Sequence, residues 1–184
     1  DKSSHAHPRP YVFALGRLTH KKGFDMLLEA FAQTKSAAQE IDLIIAGEGE
    51  ERYALERQSQ QLGLSSRVHF LGRATQGEVV RLLNGSLFVV VPSRCEPIGI
   101  VALEALAAGK PVLATKTGGL AEFLPDSPPA ITLIDPNVEE LTTGLRQMFE
   151  LPRNHSRVVR DYHIADEYSW AKVTRCYENV LRCP

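Results

Sequence analysis

Six short apolar runs, at residues 11–15, 43–46, 68–71, 87–91, 112–114 and 131–134, alternate along this chain with stretches of helical periodicity. The runs are mostly continuous rather than alternating, which is the pattern of strands buried on both faces. Between the first two, Phe24, Leu27, Leu28 and Phe31 repeat at i, i+3, i+4 and i+7 and make one apolar stripe. Tyr53, Leu55 and Leu62 mark a second helix closed by Gly63, and Val79, Val80, Leu82 and Leu83 a third that ends near Asn84-Gly85. A fourth covers about residues 100–108, with Gly109 as its stop and Pro111 just beyond. Residues 138–149 read as another, and residues 155–181 read as helical twice, with a restart at Ser169-Trp170. Strand–helix alternation of this kind predicts an α/β fold: a Rossmann-like parallel sheet of about six strands with helices on both faces. Ligands of such sheets bind outside the carboxyl ends of the strands.

With 184 residues the chain is long enough for one domain with a sizeable core. A net charge of −1 supplies no global basic field for nucleic acid or an anionic membrane, so cations are weighed locally. No apolar stretch approaches the ~20 residues that span a bilayer. The polar lead, residues 1–10, reads as a linker or cut end, and residues 11–184 as the domain. Cys95, Cys176 and Cys183 show no CxxC spacing and leave one thiol over in any bridge, which favours a reducing, cytoplasmic setting.

The loop after the first strand is Gly16-Arg17-Leu18-Thr19-His20-Lys21-Lys22-Gly23, and a helix follows it. Arg17 suits a two-pronged phosphate contact and Lys22 a point charge, beside a helix end that already favours anions. On this loop alone, anion binding and plain solvation both stay open. The second loop, Gly47-Glu48-Gly49-Glu50-Glu51-Arg52, matches a dinucleotide fingerprint only in part. Arg52 holds the third glycine position, and three glutamates would repel a pyrophosphate, so the loop reads as a tight turn.

The loop after the fourth strand, Pro92-Ser93-Arg94-Cys95-Glu96-Pro97-Ile98-Gly99, leads into a helix whose only charge is Glu104. That helix is apolar on every side and reads as buried. A buried carboxylate needs a partner, and Glu104 leans back toward the Glu96 loop. Gly99 opens the backbone to a ligand, and the next amides point out of the helix end. The competing reading pairs Glu104 with a neighbouring cation and leaves Glu96 solvated. Gly118-Gly119, opening a short helix, offers further amides or forms a plain turn.

Taken together these residues resemble the C-terminal donor-binding domain of the family 4 retaining glycosyltransferases, which have the GT-B fold. The matching elements are Gly16-Arg17-Leu18-x-x-x-Lys22-Gly23, the Glu96-x7-Glu104 pair, and Gly109-Lys110-Pro111-Val112 leading to Gly118-Gly119-x-x-Glu122. Weaker matches are Ala46-Gly47-x-Gly49, Phe70-Leu71-Gly72 and Tyr168-Ser169-Trp170, so the resemblance spans about residues 10–181. Ile98 stands where the family often has Phe. The family uses two such domains with the active site between them, and this chain has one, so the acceptor-binding N-terminal half is absent.

The resemblance implies that Arg17 and Lys22 hold the diphosphate of a UDP-, GDP- or ADP-linked sugar and stabilise the leaving group. It assigns Glu96 to donor-sugar hydroxyls and Glu104 to the ribose, with the amides of Gly99, Ile100 and Val101 on the phosphates. Gly16 belongs to the same donor-binding set, and Arg73 is a candidate for lining the base pocket. The catalytic set it suggests is Glu96, Arg17 and Lys22. With no Asp-x-Asp pair, the expectation is donor binding without a metal or cofactor. Retention by attack on the face the leaving group departs from is carried over from the family. Rival readings are a non-catalytic nucleotide-sugar module, a sugar-nucleotide epimerase and a glycan phosphorylase. The isolated chain is expected to bind donor without turnover, and any membrane contact to be set by the missing half. Trp170, Val173, Tyr177 and Val180, at helical spacing, form either an interaction surface or part of the core.

Overall fold

A computed structural model describes residues 7–34, 40–123 and 130–151. The helices expected within residues 155–181, with Trp170 and its neighbours, lie outside these described residues. The strands are β1 (Tyr11–Leu15), β2 (Asp42–Ala46), β3 (Val68–Gly72), β4 (Val89–Val91), β5 (Val112–Thr115) and β6 (Ile131–Ile134). The helices are α1 (Phe24–Gln33), α2 (Arg52–Gln61), α3 (Gln76–Gly85), α4 (Ile100–Ala107), α5 (Gly118–Phe123) and α6 (Val138–Glu150), with a 3-10 turn at His20–Lys22. All six strands are parallel, in the order β3-β2-β1-β4-β5-β6. The predicted α/β architecture is the one observed.

Each strand feeds both faces because its side chains alternate. Val12 and Ala14 of β1, with Leu43 and Ile45 of β2, join a core made with Leu27, Leu28 and Phe31 of α1 and Leu141, Leu145 and Met148 of α6. Tyr11 and Phe13, with Ile44 and Ala46, join the opposite core with Leu82 and Leu83 of α3 and Ala102, Ala105 and Leu106 of α4. Both sides being apolar is why the strand runs read as continuous. Tyr11 keeps its one polar atom satisfied by donating to the Leu82 carbonyl at 2.8 Å. Burial pushes its phenol pKa up.

Helix starts follow local chemistry. At α3, Thr75 and Glu78 cap each other's exposed backbone amides. At α6 the Asn137 side chain accepts from the Glu140 amide at 2.9 Å. The start of α1 needs a left-handed residue, and Gly23 supplies it at φ +66°. A Cβ there would also collide with the Pro92 carbonyl oxygen, so this glycine lets the first and fourth loops touch.

The strand order matters for function. The chain runs outward from β1 through β2 to β3, then returns to place β4 on the other side of β1. Connections after β1 and β4 therefore leave in opposite directions and open a crevice at their carboxyl ends, which is where ligands of such sheets bind.

Candidate active site at the carboxyl ends of β1 and β4

The two loops bordering that crevice bring Lys22 and Glu96 together. Lys22 Nζ donates to Glu96 Oε2 at 2.6 Å, across 74 residues of sequence. Ser93 Oγ donates to the same oxygen at 2.9 Å, and the Gly99 amide donates to Oε1 at 3.2 Å. Glu96 is thereby 8% exposed yet held by three donors, one of them charged, which compensates for a carboxylate removed from water. Of the expected phosphate amides, that of Gly99 is thus already taken. Those of Ile100 and Val101, in the first turn of α4, have no acceptor among the described residues.

The loops are pinned to each other by backbone and charge. Arg94 donates to the Asp25 carboxylate through Nη1 at 2.6 Å and Nη2 at 2.7 Å, and Nη1 also reaches the His20 carbonyl. The amides of Arg94 and Cys95 both donate to the Lys21 carbonyl. Burial alone would raise the Asp25 carboxyl, but hydrogen bonds and charge from Arg94 outweigh it and hold its pKa below the ordinary range. From the β5 side, Thr115 and Thr117 hydroxyls donate to the Ser93 carbonyl.

The second loop braces the first. Leu18 donates its amide to the Glu48 carbonyl at 2.9 Å and accepts from the Glu51 amide at 3.0 Å. Gly47 and Gly49 lie against the backbone of Gly16 and Leu18 with no room for a Cβ. The reading of this segment as a turn rather than a dinucleotide fingerprint agrees with that packing. One of its glutamates, Glu48, is used locally in an ion pair with Arg52, which also binds Glu56 of α2.

Three sequence expectations need correction. Helix α4 is not buried all round: Ile100 is 58% exposed, and Glu104 and Ala107 are exposed on the same side. Glu104 accordingly needs no buried partner. It lines an open groove of about 820 Å³ between α3 and α4, with Gln76, Val79, Val80, Leu83 and Asn84 opposite and Lys110 at the far end. Finally, the space left by Gly99 is filled by Leu120 rather than open to a ligand. Gly118, at φ +55°, plays a matching part, since a Cβ there would sit 2.5 Å from the Glu96 carbonyl oxygen.

Arg17 is exposed at the crevice mouth with no partner among the described residues. Gly16 is fixed below it, its amide on the Ala46 carbonyl at 3.1 Å. Arg73 is exposed just past β3 and does not line the groove, whereas Gln76 at the start of α3 does. Ser93, Asp25, Arg94 and the α3 wall were not singled out from sequence. Their only signal was opposite charge on Asp25 and Arg94, which are 69 residues apart.

The family described as "Glycosyl transferases group 1" matches residues 1–163. An uncharacterized glycosyltransferase of Methanocaldococcus jannaschii is 32% identical over 173 residues, covering 93% of this chain and 44% of that protein. The structure of Anabaena HepE in complex with UDP-glucose superposes with a TM-score of 0.82 at 26% identity, covering 95% of this chain and 49% of that one. Sucrose-phosphate synthase of Thermosynechococcus elongatus gives a TM-score of 0.82 at 26% identity, over 95% of this chain and 45% of that one. The chain spans less than half the length of these relatives.

Proposed function

The chain belongs to the group 1 glycosyl transferases, and on that premise we propose that it binds a nucleotide-diphospho-sugar for metal-independent glycosyl transfer with retention. The carrying observation is the Lys22–Glu96 pair in the β1/β4 crevice, beside two free amides of α4 and the groove holding Glu104. A diphosphate placed there meets Lys22, Arg17 and the amides of Ile100 and Val101. Glu96 turns its carboxylate to hydroxyls of the donor sugar and serves as a positioning group. Glu104 accepts from the ribose hydroxyls, and the apolar wall of Val79, Val80 and Leu83 receives the nucleoside. The groove volume falls within the range of small-molecule sites.

During transfer the bond from the sugar anomeric carbon to the phosphate oxygen breaks, and negative charge builds on the nucleoside diphosphate. Fixed cations of Arg17 and Lys22 oppose that charge without reorganising, which lowers the barrier. They do the work a divalent ion would otherwise do. The acceptor is brought by a second half that these residues do not include, so the isolated chain binds donor with negligible transfer. Uridine is the first base to test, because the HepE structure carries UDP-glucose.

Calorimetric titration with UDP, GDP, ADP and their glucose conjugates, with and without EDTA, tests this reading. One nucleotide binding preferentially, unchanged by EDTA and weakened by Arg17→Ala, is the expected result. Failure of all of them to bind, or loss of binding in EDTA, overturns it.

A further inference from the structure

A second cluster lies at the other end of the sheet. Asp42 opens β2, His69 is near the start of β3, and His7 precedes β1. All three therefore sit at the amino ends of the strands, remote from Lys22 and Glu96. The Nε2 atoms of His7 and His69 lie 2.8 and 3.0 Å from one oxygen of Asp42, Oδ2. One ligand atom from each of the three residues falls within 4.8 Å of the others. The Asp42 side chain is only 3% exposed. Its other oxygen, Oδ1, is buried and accepts no hydrogen bond from the described residues, with Arg9 Nη1 at 3.3 Å as an ion pair.

We propose that His7, Asp42 and His69 form a binding site for a divalent transition-metal ion, with zinc the best match to two imidazoles and one carboxylate. Tetrahedral zinc holds nitrogen and oxygen ligands at ~2.0–2.2 Å, which sets them roughly 3.3 Å apart. The present separations of 2.8 and 3.0 Å need only a slight spreading to admit the ion. The ion takes the place of the proton between each Nε2 and Oδ2, and each neutral imidazole then carries its proton on Nδ1. Water completes the fourth position. Two neighbouring cations shape the site: Arg9 at Oδ1, and Arg67, which donates to the Ile41 carbonyl and lies over the Phe31 ring. Arg67 is committed to those partners, and the Arg9 side chain, 38% exposed, has room to swing outward.

The ion would fasten the segment ahead of β1 to the edges of β2 and β3. His7 already packs edge-on against His69 and Tyr11, with ring centroids 5.0 and 5.5 Å away, so no large movement is needed. Its role is structural, and it takes no part in donor chemistry.

Calorimetry of the chelator-treated chain with zinc chloride in a non-coordinating buffer tests the site. Binding of one ion per chain, weakened at least about tenfold by both His69→Ala and His7→Ala, is expected. His69 is part-exposed, so its variant keeps the fold and the result stays interpretable. In NMR spectra of the wild type, the imidazole signals of these two residues should shift together at one equivalent of zinc. Absence of one-to-one binding overturns the proposal, as does binding that His69→Ala leaves unchanged.

Discussion

Lys22 and Glu96 are joined by a 2.6 Å charged hydrogen bond, although each comes from a different loop on either side of the reversal in strand order. Each is the other's resting partner. On the proposed function, a bound donor exchanges that contact for phosphate on the lysine and hydroxyl on the glutamate. Removing one member therefore has two separable effects, on stability and on binding.

Lys22→Ala leaves Glu96 in its buried position with only neutral donors, Ser93 and the Gly99 amide. An expected loss of ~1–3 kcal/mol of stability follows from stranding a carboxylate, measured by urea unfolding. Affinity for nucleoside diphosphate should drop by about one to two decades in calorimetry. Glu96→Gln should behave differently. It should spare nucleoside diphosphate binding and erase the preference for the sugar conjugate.

Glu104 is exposed in the groove, so its replacement carries no folding penalty. Glu104→Gln should weaken nucleotide binding by roughly tenfold while leaving the thermal midpoint unchanged. A matching loss of stability would assign Glu104 to the architecture instead.

The Arg94–Asp25 bridge makes a prediction in pH. Asp25 has a folded-state pKa below its ordinary 3.8, so its stabilising contribution is present above that value. The contribution is lost as pH falls through the folded-state pKa. Urea midpoints should therefore decline below about pH 4 in the wild type. In Arg94→Ala the decline over that window should be shallower, from a starting stability lower by ~1 kcal/mol because the pair is partly exposed.

Gly23→Ala should destabilise by ~2 kcal/mol or more. It combines a left-handed backbone with a collision against the Pro92 carbonyl. The variant should also bind donor weakly even where it remains folded, because the collision pushes apart the loops that carry Lys22 and Glu96. Unfolding curves and calorimetry on the same sample separate the two effects.

Much of the architecture could be read from residue order, for a definite reason. Strands such as β2 are buried on both faces, so every position after Asp42 is apolar and the run stands out. Lys22 and Glu96 stood out as candidates because helix ends and glycines flank them, but their contact across 74 residues had no signal in the sequence. Glu104 was singled out from the sequence on a premise that the fold does not keep. The apolar neighbours Ile100 and Val101 suggested a buried helix, whereas Ile100 and Glu104 share an exposed side. A residue's type cannot report which side of a helix its own fold leaves open. Gly99 illustrates a similar limit: an absent side chain marks a close neighbour without saying whether it is ligand or leucine. The His7, Asp42 and His69 group is built across 35 and 27 residues of chain, with no local spacing to reveal it.

The contacts of Gly23 with Pro92, Gly118 with Glu96, and Gly49 with Leu18 are all made by main chain on main chain. Loops meshed in this way cannot be exchanged one at a time. Grafting the Glu96 loop from a relative would import a backbone path that the Lys22 loop and α5 have to match. Side chains that project from the mesh, such as Ile98 and Ile100, are under no such constraint. On the proposed function, changes of donor preference, by natural drift or in the laboratory, therefore have their cheapest route through those outward positions, while the underlying frame is inherited whole.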